Sequence, residues 1–162
     1  MADTQLGFHP EHDHTTCIDH ALQEASQICK ERGVRFTPIR ELVLKTIWQS
    51  HKPLGAYELL PTLAASGFNS APPTVYRALE FLQEQGFVHR IALLNAFIGC
   101  PHPEKQHQGS FLICRECNNT VEIETASIEN AISDQAEKYS FTPEQQAIEV
   151  LGLCPNCHEE KN

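Results

Sequence analysis

Pro72-Pro73-Thr74-Val75-Tyr76-Arg77-Ala78-Leu79-Glu80-Phe81-Leu82 is the stretch on which the reading of this chain turns. Two prolines open a helix, because proline's fixed φ suits the first turn and its missing N–H has no helical partner there. Val75, Leu79 and Leu82, with Ala78, recur at helical spacing and form the inward stripe. Thr74, Tyr76, Arg77 and Glu80 are left on the outer face. A hydroxyl, a phenol and a guanidinium near a helix N-terminus can reach phosphates and a guanine edge when that helix enters the major groove. A solvated helix face is the plainer reading of the same pattern.

The residues around this helix place it. Residues 1–15 are polar and carry His9, His12 and His14, the composition of a flexible arm. From about Thr16, the recurrence of Ile18, Leu22, Ala25 and Cys29 predicts a first helix, ended by Gly33. Thr37-Pro38 reads as an N-cap followed by proline at the first helical position, with Ile39, Leu42, Val43 and Ile47 as the buried stripe. Pro53 and Gly55 punctuate, and a short third helix carries Leu59, Leu60 and Leu63. Gly86 stops the helix opened by Pro72. Val88 to Leu93 and Ala96 to Cys100 then predict a hairpin turning around Asn95. Short helices followed by a small hairpin are the order of a winged helix-turn-helix, although many three-helix domains bind no DNA.

The formal charge of −9 argues against indiscriminate nucleic-acid binding, but it is unevenly distributed. Residues 1–31 carry net −5, residues 32–92 net +3 and residues 93–162 net −7. A basic block beside an acidic one suggests two domains with different partners. No apolar run approaches the roughly 20 residues of a membrane span, and no secretory leader is evident, so a cytoplasmic protein is expected. In a reducing compartment, cysteines at short spacing serve as metal ligands or redox groups more often than as disulfides.

Phe111 to Cys114, Thr120 to Glu124 and Ala147 to Leu151 read as strands. In the second of these Glu122 and Glu124 point away from Val121 and Ile123. Ile128, Ile132, Gln135 and Tyr139 predict a helix. So small a unit needs a staple, and its exposed strand edges invite a partner. Cys114-Arg115-Glu116-Cys117 and Cys154-Pro155-Asn156-Cys157 supply the staple: two Cys-x-x-Cys hooks, 36 residues apart, each at a strand end. Four thiolates suit a closed, structural zinc site, whose sulfurs need backbone N–H donors to offset their negative charge. A thioredoxin-type redox pair needs a strand-to-helix setting, expected at neither hook. Cys154-x-x-Cys157-His158 also matches a c-type haem attachment pattern, which would leave the other hook unexplained.

Further donors lie between the two halves: His89, Cys100, His102, His107 and Glu122. His89 and Cys100 could be neighbours across the predicted hairpin, His107 lies in the linker, and Glu122 sits on the polar face of its strand. Two histidines, a cysteine and a carboxylate could form a second, neutral zinc site. Separate surface or core residues are the alternative.

Val34-Arg35-Phe36-Thr37-Pro38-Ile39-Arg40, Ala56-Tyr57-Glu58-Leu59-Leu60, Pro72 to Leu79 and the paired hooks resemble the ferric uptake regulator family over about residues 16–158. Glu84 to Arg90 and Gly152-Leu153-Cys154 are similar to its zinc-responsive branch. The resemblance implies an α+β protein: an arm (1–15), a winged-helix DNA-binding domain (16–100), a linker (101–110) and a small α/β dimerisation domain (111–162). It implies a regulatory zinc at His89, Cys100, His107 and Glu122, hence about two zinc ions per subunit. DNA contacts from Tyr57 and Arg77, with Thr74 and Tyr76 nearby, are implied as well. The expected function is a homodimeric, zinc-responsive repressor of zinc-uptake genes on a pseudo-palindromic operator, with no membrane partner or small-molecule substrate. Gln106-His107-Gln108-Gly109 stands where iron-responsive members carry a His-His-Asp-His run. That weighs against an iron or peroxide sensor of the same family. A zinc hydrolase is a competing class, but Glu122 is the only candidate base and is itself a candidate ligand. His9, His12, His14, Cys17 and His20 could hold one more zinc, though a disordered arm is the simpler account.

Overall fold

A computed structural model describes residues 8, 14–50, 52–105 and 107–159. His9 and His12 lie outside the described residues, as does the side chain of His14. The chain divides into two compact units, one spanning His9–Gln106 and the other built from His107–Asn162.

The first unit contains α1 (His14–Arg32), α2 (Pro38–Trp48), α3 (Ala56–Ala65), α4 (Pro72–Glu84) and the strands β1 (Val88–Ile91) and β2 (Ala96–Gly99). Helix α1 starts at His14, so the expected arm of residues 1–15 is too long: helix reaches into its last two positions. Gly33 ends α1 at φ +67°, with the Val34 N–H bonding back to the Cys29 carbonyl at 3.0 Å. Gly86 repeats this after α4, where the Phe87 N–H reaches the Leu82 carbonyl at 2.8 Å. Both are left-handed C-terminal caps that glycine adopts without a Cβ penalty. Proline stands in the first turn of α2 and of α4, as the sequence predicts. Thr37 occupies the N-cap position of α2 with extended backbone, but its side chain makes no capping bond.

Ala25, Ile28 and Cys29 of α1, Val43, Leu44 and Ile47 of α2, Leu59 and Leu63 of α3, and Val75, Ala78, Leu79, Phe81 and Leu82 of α4 share one core. Phe87, Val88 and Phe97 extend it onto the hairpin. β1 and β2 pair antiparallel, with Val88 opposite Gly99, His89 opposite Ile98 and Arg90 opposite Phe97. Asn95 turns the hairpin at φ +46°. Leu54 adds an unexpected third pairing: its N–H and carbonyl exchange bonds of 2.9 and 2.8 Å with Phe97. That bridge ties the segment entering α3 to the wing. Pro61 sits inside α3.

The second unit contains β3 (Ser110–Cys114), β4 (Thr120–Glu122), α5 (Ala126–Glu137), β5 (Ile148–Gly152) and a five-residue helix α6 (Pro155–Glu159). β3 is central, antiparallel to β4 and parallel to β5. Helix α5 stops at Glu137 and the chain turns through Ser140 at φ +52°. Tyr139, expected on the helix, therefore lies beyond it and is 82% exposed.

Candidate metal centres and nucleic-acid interface

The hooks converge because β3 and β5 run the same way. Cys114 is the last residue of β3 and pairs in register with Gly152, the last of β5, two residues before Cys154. The Arg115 N–H bonds the Gly152 carbonyl at 2.9 Å and continues that pairing into the first hook. The first hook folds back on itself: the Asn118 N–H reaches the Cys114 carbonyl, and the Cys114 N–H reaches the Asn119 carbonyl, both at 2.9 Å. Asn118 takes φ +60°, a conformation asparagine tolerates better than most residues. The sulfurs of Cys114, Cys117, Cys154 and Cys157 all lie within 4.8 Å of one another, and Cys117 Sγ is 3.8 Å from Cys154 Sγ. A zinc–sulfur distance of about 2.3 Å gives a tetrahedron with edges of about 3.8 Å, so the sulfur spacing fits zinc.

The electrostatics fit as well. Burial works against ionising Cys114, but backbone amides of Cys117, Cys154 and Glu116 hydrogen-bond its sulfur and bring its pKa down to about 6. These are the amide donors that a four-thiolate centre requires. The crowded sulfurs oppose one another's ionisation. The Cys154 thiol is the main cause that pushes Cys157 up to about 12, and burial raises Cys117.

One expectation is corrected at the second hook. Pro155 opens α6, and the His158 N–H bonds the Cys154 carbonyl at 2.9 Å, so this hook does run from a strand end into a helix. Sequence periodicity cannot register a helix so short. The redox reading gains nothing from it, because all four sulfurs are gathered at one point.

The second donor set falls into two pairs, one in each unit. In the first unit, the β1–β2 register and the bond from the Cys100 N–H to the Phe87 carbonyl (2.9 Å) place His89 and Cys100 on the same face of the hairpin. Their ligand atoms are within 4.8 Å of each other, and Cys100 is buried. In the second unit, His107 Nε2 lies 2.6 Å from Glu122 Oε1. Thiolate, imidazole and carboxylate together favour zinc over harder ions. His102 is largely exposed, with Nδ1 at 3.7 Å from Glu104 Oε1.

The outer face of α4 is as the sequence predicts: Tyr76, Arg77 and Glu80 are exposed and Thr74 is half-buried. Tyr57, at the start of α3, is 67% exposed and joins Tyr76 along one shallow groove floored by Ala56, Leu60 and Val75. No acidic residue stands in the first turn of α4. Pro72 and Pro73 carry no N–H and the Thr74 N–H bonds the Ala71 carbonyl at 3.0 Å, so any phosphate contact at this end falls to the side chains, unopposed by a carboxylate. Arg40 is not part of this face. Its guanidinium lies 3.6 Å over the Phe81 ring and bonds the Arg35 carbonyl, so it braces α2 against α4. Phe81, which lies outside the predicted stripe, joins the core with that guanidinium stacked on its ring.

A winged-helix unit followed by a four-cysteine α/β unit defines a class of metal-dependent DNA-binding regulators. The ferric uptake regulator family model matches residues 31–151, and this chain belongs to that family. It is 36% identical over 145 residues to the zinc uptake regulation protein of Escherichia coli (strain K12), covering 89% of this chain and 85% of that one. A structure of a zinc uptake regulator complexed with zinc and DNA superposes with a TM-score of 0.84. The two are 35% identical over 89% of this chain and 97% of that one. The crystal structure of holo XcZur gives a TM-score of 0.78 at 42% identity, over 87% of this chain and 99% of that one. Among the described residues, no helix is long and apolar enough to cross a membrane.

Proposed function

We infer that this chain is a zinc-responsive transcriptional repressor that acts as a cytoplasmic homodimer, binding a pseudo-palindromic operator when zinc-loaded and restraining zinc-uptake genes. The observation that carries this reading is the likeness, over 89% of the chain, to a zinc uptake regulator complexed with zinc and DNA.

Cys114, Cys117, Cys154 and Cys157 would hold a structural zinc, and their mutual spacing supports that role. His89, Cys100, His107 and Glu122 would hold a second, regulatory ion, giving two per subunit. Support comes from the two preformed donor pairs, joined by a linker of only six residues between Cys100 and His107. That linker reaches about 24 Å at most. When bound, zinc supplies a divalent charge that ties four side chains to one point. His89 and Cys100 would then fix the wing, while His107 and Glu122 would fix the start of the dimerisation unit. Shared ligation stabilises only those arrangements in which all four donors meet. Reversing a 1:99 equilibrium needs about 5.5 kcal/mol of such preference. Tyr57, Thr74, Tyr76 and Arg77 would form the DNA face, with two copies reading half-sites about one helical turn apart.

A dimer is supported by what the second unit leaves uncovered. Among its described residues α5 buries none, and β5 exposes Val150 and Leu151 at an unpaired edge. A strand edge with apolar side chains needs a cover.

Metal analysis of the purified protein, followed by titration of operator binding with zinc, iron(II) and manganese(II), tests the reading. Two zinc equivalents per chain and binding promoted by zinc at the lowest free concentration are expected. Promotion by iron or manganese in preference to zinc would overturn it.

A further inference from the structure

We propose that Trp48 is the positioning residue through which metal ligation at Cys100 acts on the DNA-facing helices; this inference rests on the regulatory-site reading above. Trp48 is the only tryptophan in the chain and the last residue of α2. Its indole lies flat against the backbone of Gly99. A Cβ added at Gly99 would stand 2.5 Å from Cε2, 2.6 Å from Nε1 and 3.0 Å from Cδ2, closer than real side chains approach. No residue but glycine fits there unless the indole moves.

The register shows what this contact joins. Val88, Phe97 and Gly99 share the face of the hairpin turned toward the helices, while His89, Ile98 and Cys100 share the other. One thickness of backbone therefore separates the indole from the strand end that carries Cys100. On the helix side, α2 inserts Val43, Leu44 and Ile47 into the core that also holds Val75, Ala78, Leu79 and Leu82 of α4. Tyr76 and Arg77 ride on α4. Close-packed interiors shift as units between discrete arrangements. A displacement of Cys100 on ligation is thus passed to Trp48, then to α2, then to α4. A residue that merely fills space would change stability and leave the zinc-dependent gain in DNA affinity intact.

The test uses the full chain, first unaltered. Trp48 emission is followed as chelator-treated protein is titrated with zinc, with Cys100→Ser as control. A shift that saturates with the regulatory equivalent and is missing in Cys100→Ser is expected. Trp48→Phe is then compared with wild type for zinc equivalents held against a competing chelator. Both proteins are also measured for affinity toward a duplex that zinc-loaded wild type selects from a random pool. Trp48→Phe should keep both zinc equivalents while the zinc-dependent gain in affinity falls about tenfold or more. Emission unmoved by the second equivalent would overturn the proposal, and so would an undiminished gain in Trp48→Phe. If Cys100→Ser keeps two equivalents and full zinc-dependent binding, the regulatory-site reading fails first and takes the role of Trp48 with it.

Discussion

His107 Nε2 stands 2.6 Å from Glu122 Oε1, although the two are 15 positions apart in the chain. The start of the second unit is thereby held against β4, and an imidazole and a carboxylate are prealigned as half of the proposed regulatory site. The cost of ordering these two side chains is met in folding, so less of it weighs on ligation. His107→Ala and Cys100→Ser should each leave the fold intact and abolish zinc-dependent operator binding. Circular dichroism and zinc-dependent gel shifts measure the two effects, and unchanged operator affinity in either variant would remove that residue from the switch.

The proposed four-cysteine centre should behave differently, because metal affinity at a structural site would be folding energy. Cys114→Ser should lower the zinc content by about one equivalent per chain and destabilise the second unit by several kcal/mol or more. Zinc analysis beside urea denaturation checks this. A variant as stable as wild type would mean that the centre is not structural.

Acidity offers an independent probe. The Cys114 pKa is lowered from the ordinary 9.0 to about 6. Between those values the folded state binds fewer protons at this sulfur than the unfolded chain does. While the raised Cys117 and Cys157 thiols act in the opposite sense in the metal-free protein, the Cys114 contribution is full above 9 and is lost as pH falls through about 6. Proton competition for the metal runs in the same direction, so zinc release should rise steeply as pH is lowered from 7 toward 5. A chromogenic chelator reads the release; a flat profile across that range would contradict the assignment.

Arg77→Ala should cost about 1–3 kcal/mol of operator affinity, mostly as lost sequence discrimination. Binding to operator and to random DNA at matched salt separates the cases. An equal loss on both would make Arg77 a phosphate contact.

Val150→Lys or Leu151→Asp should dissociate the dimer without unfolding the chain, since both side chains are about half exposed on the edge strand. Sedimentation velocity gives the answer, and an unaltered dimer would place the interface elsewhere.

Much of this was legible in the sequence. The stripe Val75–Ala78–Leu79–Leu82, the caps at Gly33 and Gly86, and the turn at Asn95 follow from local rules that the rest of the fold does not contradict. The four hook cysteines were legible too, because metal-ligand spacing is itself a local pattern. What escaped depends on partners distant in sequence. Phe81 is buried in a core shared with other helices, with Arg40 of α2 stacked on its ring. Leu54 pairs with Phe97 through a single bridge, too little to leave an alternating pattern. The end of α5 carries no glycine or proline to announce it, so Tyr139 read as helical. Gly99 did leave a signal: glycine inside a strand marks close approach by another group, and that group is the indole of Trp48.

The parallel pairing of β3 with β5 has a kinetic consequence. Parallel neighbours cannot be joined by a tight turn, so 36 residues, including α5, must be laid down between the hooks. During synthesis the first hook emerges well before the second and can offer a metal only two sulfurs. Full coordination would wait for closure of that long loop. A zinc held there would be completed only after the unit has closed, so the proposed structural centre would form late in folding and differ in this from a site whose donors all lie close together in sequence.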